Sequence, residues 1–116
     1  MHRIMMYLYT MYPKELLKGI IPTIILSLLA KNRKMYGYQI AKEVKELSDG
    51  KITIKEGSLY PTLHNLESEG LVSIETVSIG KRIRRYYALT ESGINYQKEK
   101  LEEFEDFIAT INKIVS

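Results

Sequence analysis

KEGSLYPTLHNLESEGLVSIETVSIGKRIRRYYALTE, residues 55–91, reads as a helix, a pair of strands and the start of another helix. In its first half Leu59, Leu63 and Leu66 fall within a narrow arc at ~100° per residue, so they face a core. Gly57, Pro61, His64 and Ser68 fall on the opposite side and leave one helical face free. Ser58 is the expected N-cap, with Pro61 still in the first turn, and Gly70 ends the helix. Two β-type runs follow, Leu71–Val77 and Ile83–Leu89, joined by Ser78-Ile79-Gly80-Lys81-Arg82, which predicts a β-hairpin. Alternation puts Ile83, Arg85, Tyr87 and Leu89 on one face, with Tyr87 and Leu89 anchoring the hairpin to the core. Thr90-Glu91 then caps a terminal helix, Glu91–Ile114, in which Ile94, Leu101, Ile108 and Val115 recur every seven residues with Phe104 and Ile111 between them.

Upstream, Leu17, Ile20, Ile21, Ile24, Ile25, Leu28 and Leu29 give residues 14–30 a broad apolar helical face that stops at Lys31-Asn32-Arg33-Lys34. Pro22 lies inside this pattern, so the helix either kinks there or restarts with Pro22 in its first turn. Ile40, Ala41, Val44 and Leu47 predict a second amphipathic helix over Tyr38–Leu47, closed by Ser48-Asp49-Gly50. Ile52-Thr53-Ile54 alternates briefly and predicts a short strand. The result is a mainly α chain with a β-hairpin: a winged helix-turn-helix with a long C-terminal dimerisation helix. The expected divisions are an N-terminal extension at 1–12, the winged helix-turn-helix at 13–90 and the dimerisation helix at 91–116.

Composition narrows the function. At 116 residues, with 45% hydrophobic and 27% charged side chains, the chain is a single globular domain. Zero cysteines rule out disulfides and thiol catalysis, and with only His2 and His64 no metal site is expected. No apolar run has the length of a membrane span, and no cleavage site follows the N-terminal stretch, so a cytoplasmic location is expected. Tyr38…Lys42 and Tyr96…Lys100 match the Tyr-x-x-x-Lys spacing of short-chain dehydrogenases, but without a glycine-rich dinucleotide turn they are chance helix neighbours. Glu67 and Glu69 face different sides of their helix and cannot act as an acid–base pair; Glu102, Glu103, Glu105 and Asp106 form a solvated helix face. No enzyme and no cofactor is expected.

Seventeen Lys and Arg against fourteen Asp and Glu leave a net charge of only +3, so clustering matters more than the total. Lys81-Arg82-Ile83-Arg84-Arg85 is the densest positive run and sits on the hairpin; Lys31, Arg33 and Lys34 form a second cluster. Arginines on a hairpin can neutralise phosphates, and they can equally protect an edge strand from aggregation. Ser58, Tyr60, Pro61, His64 and Asn65 on the free helix face have the short or planar groups that meet base edges, though any amphipathic helix shows polar residues there. Tyr60 lies sideways on the helical wheel and reads as a groove contact or as a core aromatic. Taken together, these elements point to double-stranded DNA; the competing reading is a winged-helix module that binds an acidic protein surface. The seven-residue apolar repeat, broadened by Phe107 and Ile114, points to a homodimer, and hence to a palindromic site, unless the helix only closes its own domain.

Three runs carry a family resemblance: Gly37-Tyr38-Gln39-Ile40, then Glu56-Gly57-Ser58-Leu59-Tyr60-Pro61-Thr62-Leu63-His64-Asn65-Leu66-Glu67-Ser68-Glu69-Gly70-Leu71, then Arg85-Tyr86-Tyr87-Ala88-Leu89-Thr90-Glu91-Ser92-Gly93. Over roughly Lys18 to Gly93 the chain resembles the PadR family of bacterial transcriptional regulators, in its small branch with one terminal helix. The resemblance implies a dimeric repressor of detoxification, efflux or stress genes that a small molecule releases from DNA. It implies phosphate contact at Tyr38, groove contact by Ser58, Tyr60, Pro61 and His64, and wing contact by Arg82, Arg84 and Arg85. With Lys34, Asn65 and Lys81 these make up the expected DNA-binding set. Ile94, Leu101, Phe104, Ile108, Ile111 and Val115 make up the expected dimer interface. Some small members hold flat aromatic drugs between tryptophans. This chain has no Trp, and Phe104 stands at the matching position. A hydrophobic effector pocket would therefore draw on Leu17, Ile21, Phe104 and Phe107, with a weaker stacking surface.

Overall fold

Pro22 decides the course of the first helical stretch. In the computed structural model, which describes residues 12–116, helix α1 (Lys14–Lys18) ends at Gly19 and helix α2 (Ile21–Lys31) starts anew with Pro22 in its first turn. There the missing N–H costs no helical hydrogen bond. The extension expected at 1–12 and His2 lie, apart from Tyr12, outside the described residues. α2 runs through the middle of the domain: Ile25, Leu26, Leu28 and Leu29 are all buried, so the apolar face is wider than its three-and-four spacing suggests.

Helix α3 (Gly37–Leu47) buries Ile40 and Val44 and begins where Gln39 reaches back, its Oε1 accepting the Tyr36 N–H at 3.0 Å. It ends in a turn that takes Asp49 and Gly50 to φ 53° and 79°. The strand expected at Ile52–Ile54 does not form. Ser48 Oγ accepts the Ile52 N–H at 3.0 Å, which holds the segment close to the helix end, and Ile54 enters the core with Ile52 packed against it.

Helix α4 (Glu56–Ser68) starts earlier than expected. Lys55, with extended backbone, is the N-cap, so Ser58 is already inside the helix and Pro61 lies beyond the first turn. Pro61 removes one N–H from the ladder on an exposed face, where the freed carbonyl can turn to water. Leu59, Leu63 and Leu66 are buried as their spacing requires.

Strands β2 (Val72–Ile79) and β3 (Arg82–Leu89) form the hairpin, longer than expected because Gly80 and Lys81 alone make the turn, Gly80 at φ 61°. A third strand, β1 (Met35–Tyr36), pairs antiparallel with β3 through Met35↔Tyr87 and Tyr36↔Tyr86, giving the order β1-β3-β2. Met35, Val72 and Tyr87 close the core from the sheet side, and Leu89 packs against it. Helix α5 (Glu91–Val115) is capped by Thr90, whose Oγ1 accepts the Gly93 N–H at 3.0 Å and donates to the Gly70 carbonyl at 2.6 Å. Gly93 lies directly on the Leu71 carbonyl, and the buried Gln97 donates to Ser27 Oγ at 3.1 Å, fastening α5 to α2. From Leu101 onward every residue except the half-buried Phe104 is exposed.

Candidate nucleic-acid interface

With its leucines buried, α4 presents Ser58, Tyr60, Pro61, His64 and Asn65 to solvent. Tyr60 is not a core residue. It is 44% exposed, and its ring lies so close over Gly37 that a Cβ there would come within 2.8 Å of the ring carbons. Tyr60 thus ties α4 to the start of α3, where Tyr38 is exposed.

Between this corner and the hairpin runs a groove of about 660 Å³ lined by Tyr36, Gly37, Tyr38 and Tyr60 and, from the hairpin, by Ile79, Arg82 to Arg85 and Tyr87. Five residues of the expected DNA-binding set, Tyr38, Tyr60, Arg82, Arg84 and Arg85, therefore meet in one place. His64 and Asn65 lie further along α4, and Lys81 and Arg82 are exposed at the hairpin tip. Arg85 shares a face with Tyr87. Burial pushes the Tyr87 hydroxyl above the ordinary tyrosine range, with the positive charge of Arg85 acting the other way.

Arg84 and Lys34 each lie against an aromatic ring. The Arg84 guanidinium sits 4.0 Å from the centre of the Tyr36 ring. Lys34 Nζ contacts Glu75 Oε2 at 2.7 Å and lies 5.0 Å from the centre of the Tyr86 ring. That ammonium holds the Glu75 carboxyl below its usual range by hydrogen bond and charge. Sequence reasoning missed Tyr36, whose position rests on the unsignalled strand β1. It also missed the exposure of Ile83, which is 71% solvent-accessible. Ile83 does share a face with Tyr87, but the hairpin tip overshoots the core that this face covers.

On α5, Ile94, Leu101, Ile108, Ile111 and Val115 are exposed and Phe104 is half-buried, while Phe107 and Ile114 widen the same apolar surface. Leu17 and Ile21 are half-buried; with Phe104 and Phe107 they line neither the groove above nor the shallow cleft between α3 and the loop that includes Gly50 and Ile54. Among the described residues no three His, Cys, Asp or Glu side chains cluster as metal ligands, and no helix is long and apolar enough to cross a membrane.

Comparison with known proteins places these features. The sequence model of the Transcriptional regulator PadR-like family matches residues 25–99. The transcriptional regulator YqjI of Escherichia coli is 32% identical over 87 residues, which cover 75% of this chain and 40% of that protein, so the chain spans two fifths of that curated relative. Among solved structures, a transcriptional regulator from Clostridium thermocellum superposes with a TM-score of 0.81 at 37% identity, covering 88% of this chain and 99% of that one. A PadR family regulator from Eggerthella lenta gives 0.76 at 30% identity, covering 88% and 87%. The shared architecture is the winged helix-turn-helix, mostly helical with a small three-stranded antiparallel sheet.

Proposed function

This chain belongs to the PadR-like family of transcriptional regulators, which are not enzymes, and we propose that it acts as a homodimer binding a palindromic double-stranded DNA operator. Residues 13–90 make up the DNA-binding unit and residues 91–116 the dimerisation helix. In this reading the exposed face of α4 enters the major groove, where His64 and Asn65 meet base edges and Ser58, Tyr60 and Pro61 pack against the backbone. Tyr38 receives a phosphate at the start of α3, and the wing, hairpin β2–β3, grips the flanking backbone with Lys81, Arg82 and Arg85. Regulation would be repression of a detoxification, efflux or stress operon. A hydrophobic small molecule between the dimer helices and the N-terminal helices, against Leu17, Ile21, Phe104 and Phe107, would relieve it.

The observation that carries this reading is that Tyr38 of α3 and Tyr60 of α4 meet the wing arginines across one groove. The test is binding to a palindromic fragment from the promoter of the protein's own gene, measured at several salt concentrations. Affinity is expected to fall steeply with salt, and Arg82→Ala to make the log–log slope shallower by about one unit for each protomer bound. Asn65→Ala is expected to narrow the gap between operator and mixed-sequence DNA, leaving the salt slope unchanged. Absence of binding at low salt would defeat the reading and leave the same surface to an acidic protein partner.

A further inference from the structure

Two of the cations expected on DNA are already engaged within the protein, and their partners form a continuous row. In the hairpin register Glu75 faces Tyr86 and Val77 faces Arg84, while Tyr36 pairs with Tyr86 from the other side. Alternation puts Tyr36, Glu75, Arg84 and Tyr86 on the sheet face opposite Met35 and Tyr87, hence away from the core. Along that face the Arg84 guanidinium lies 4.0 Å from the Tyr36 ring centre, and Tyr36 meets Tyr86 edge-on at 5.5 Å and 84°. Lys34 lies 5.0 Å from the centre of the Tyr86 ring and 2.7 Å from Glu75. The row crosses all three strands. It also reaches α3, because Tyr36 is the N-cap of that helix and stacks on Tyr38 at 6.5 Å and 17°.

The position of this row in the fold gives it a mechanical meaning. β1 is two residues long and pairs with β3 only at Tyr86 and Tyr87, so beyond Tyr86 the wing loses its third strand. Arg84 is the next residue on the same face, and its contact with Tyr36 carries the attachment past the point where backbone pairing stops. We infer that the row Arg84–Tyr36–Tyr86–Lys34–Glu75 is a clasp that fixes the wing against the start of α3, and that Arg84 and Lys34 are positioning residues which do not neutralise phosphate. Backbone charge is met instead by Lys81, Arg82 and Arg85, which are exposed. The consequence for operator binding rests on the DNA-binding reading above; the clasp itself does not.

The experiment has two arms. In the first, operator affinity is measured against salt for Arg84→Ala, Lys34→Ala, Tyr36→Leu and Tyr36→Phe, with Arg82→Ala as the phosphate-contact reference. Arg84→Ala and Tyr36→Leu are expected to weaken binding about two- to fivefold, the size of one exposed cation–ring contact, with the wild-type salt slope retained. Lys34→Ala is expected to keep that slope as well. The Arg84→Ala/Tyr36→Leu double variant is expected to bind no worse than either single one, and Tyr36→Phe, which keeps the ring, to match wild type. A slope shallower by about one unit per protomer in Arg84→Ala, as in Arg82→Ala, would show Arg84 on a phosphate and overturn the inference. The second arm uses the free protein: hydrogen exchange of the wing amides between Val77 and Arg84 is expected to be faster in both Arg84→Ala and Tyr36→Leu. Unchanged exchange would remove the clasp even if DNA binding held, and faster exchange with no DNA binding would keep the clasp while the DNA reading failed.

Discussion

Three glycines show how far one residue's environment decides its tolerance. At Gly93 an added Cβ would run into the backbone carbonyl of Leu71, which has no rotamer to yield. Gly93→Ala is therefore expected to cost about 3 kcal/mol, the upper range for overpacking, seen as a lower urea midpoint with an unchanged m-value. At Gly57, exposed near the start of α4, the same change meets open space and is expected to stabilise by about 0.5–1 kcal/mol. Equal midpoints for the two variants would contradict both placements. Gly37 lies between these cases, because the obstacle there is the Tyr60 ring, a side chain half in solvent that can swing aside. No local pattern separates these glycines. Leu71 and Tyr60 belong to other parts of the chain, so the requirement at 93 and 37 becomes visible only once the fold brings them together.

Elements were legible in the sequence where their own residues carry the cause. The leucine arc of α4, the alternation in β3 and the Thr90 cap of α5 are local signals, and each stands where its spacing puts it. β1 is different: two residues cannot signal a strand, and Met35–Tyr36 becomes one only because β3 offers an edge. Ile52–Ile54 shows the converse, an alternating run that forms no strand because its Ile52 N–H is taken by Ser48 Oγ at the end of α3. Ser58, with Pro61 three residues on, predicts a later α4 start, yet the helix begins at Glu56, whose carboxylate suits the positive end of the helix dipole. The contact of Arg84 with Tyr36 depends on the same strand, β1, so nothing local in the sequence signals it. In α5 the cause is local again. Gly93 and Gln97 are its buried residues, and beyond Leu101 the apolar repeat is exposed apart from the half-buried Phe104. Ile108, 45% exposed, lies outside the buried core. Ile108→Asp is expected to give monomers in sedimentation with helix content intact, and to abolish tight operator binding. A dimer that survives this substitution would move the interface off the α5 repeat.

The shape of the whole molecule makes its stability a question of concentration. The protomer measures 51 × 33 × 20 Å, and a helix of 25 residues, ~37 Å at 1.5 Å per residue, accounts for much of the long dimension. Its outer half shows Phe107, Ile108, Ile111, Ile114 and Val115 together, a contiguous apolar surface of the kind that monomers rarely leave exposed. If two such helices pair, folding and association are linked, and a tenfold rise in protein concentration adds about 1.4 kcal/mol to the apparent stability. For a dimer of this size that raises the melting temperature by about 3–5 °C. The Ile108→Asp monomer is expected to melt at one temperature throughout the series, because its core of α2, α3, α4 and the sheet is complete within one chain. The same linkage couples stability to DNA. Two heads held on a shared helical stem address half-sites about one helical turn apart, so operator DNA should stabilise the wild-type dimer far more than it stabilises the variant. A wild-type melting temperature independent of concentration, at the mass of one chain, would mean that α5 stands unpaired and that a single wing meets DNA on its own.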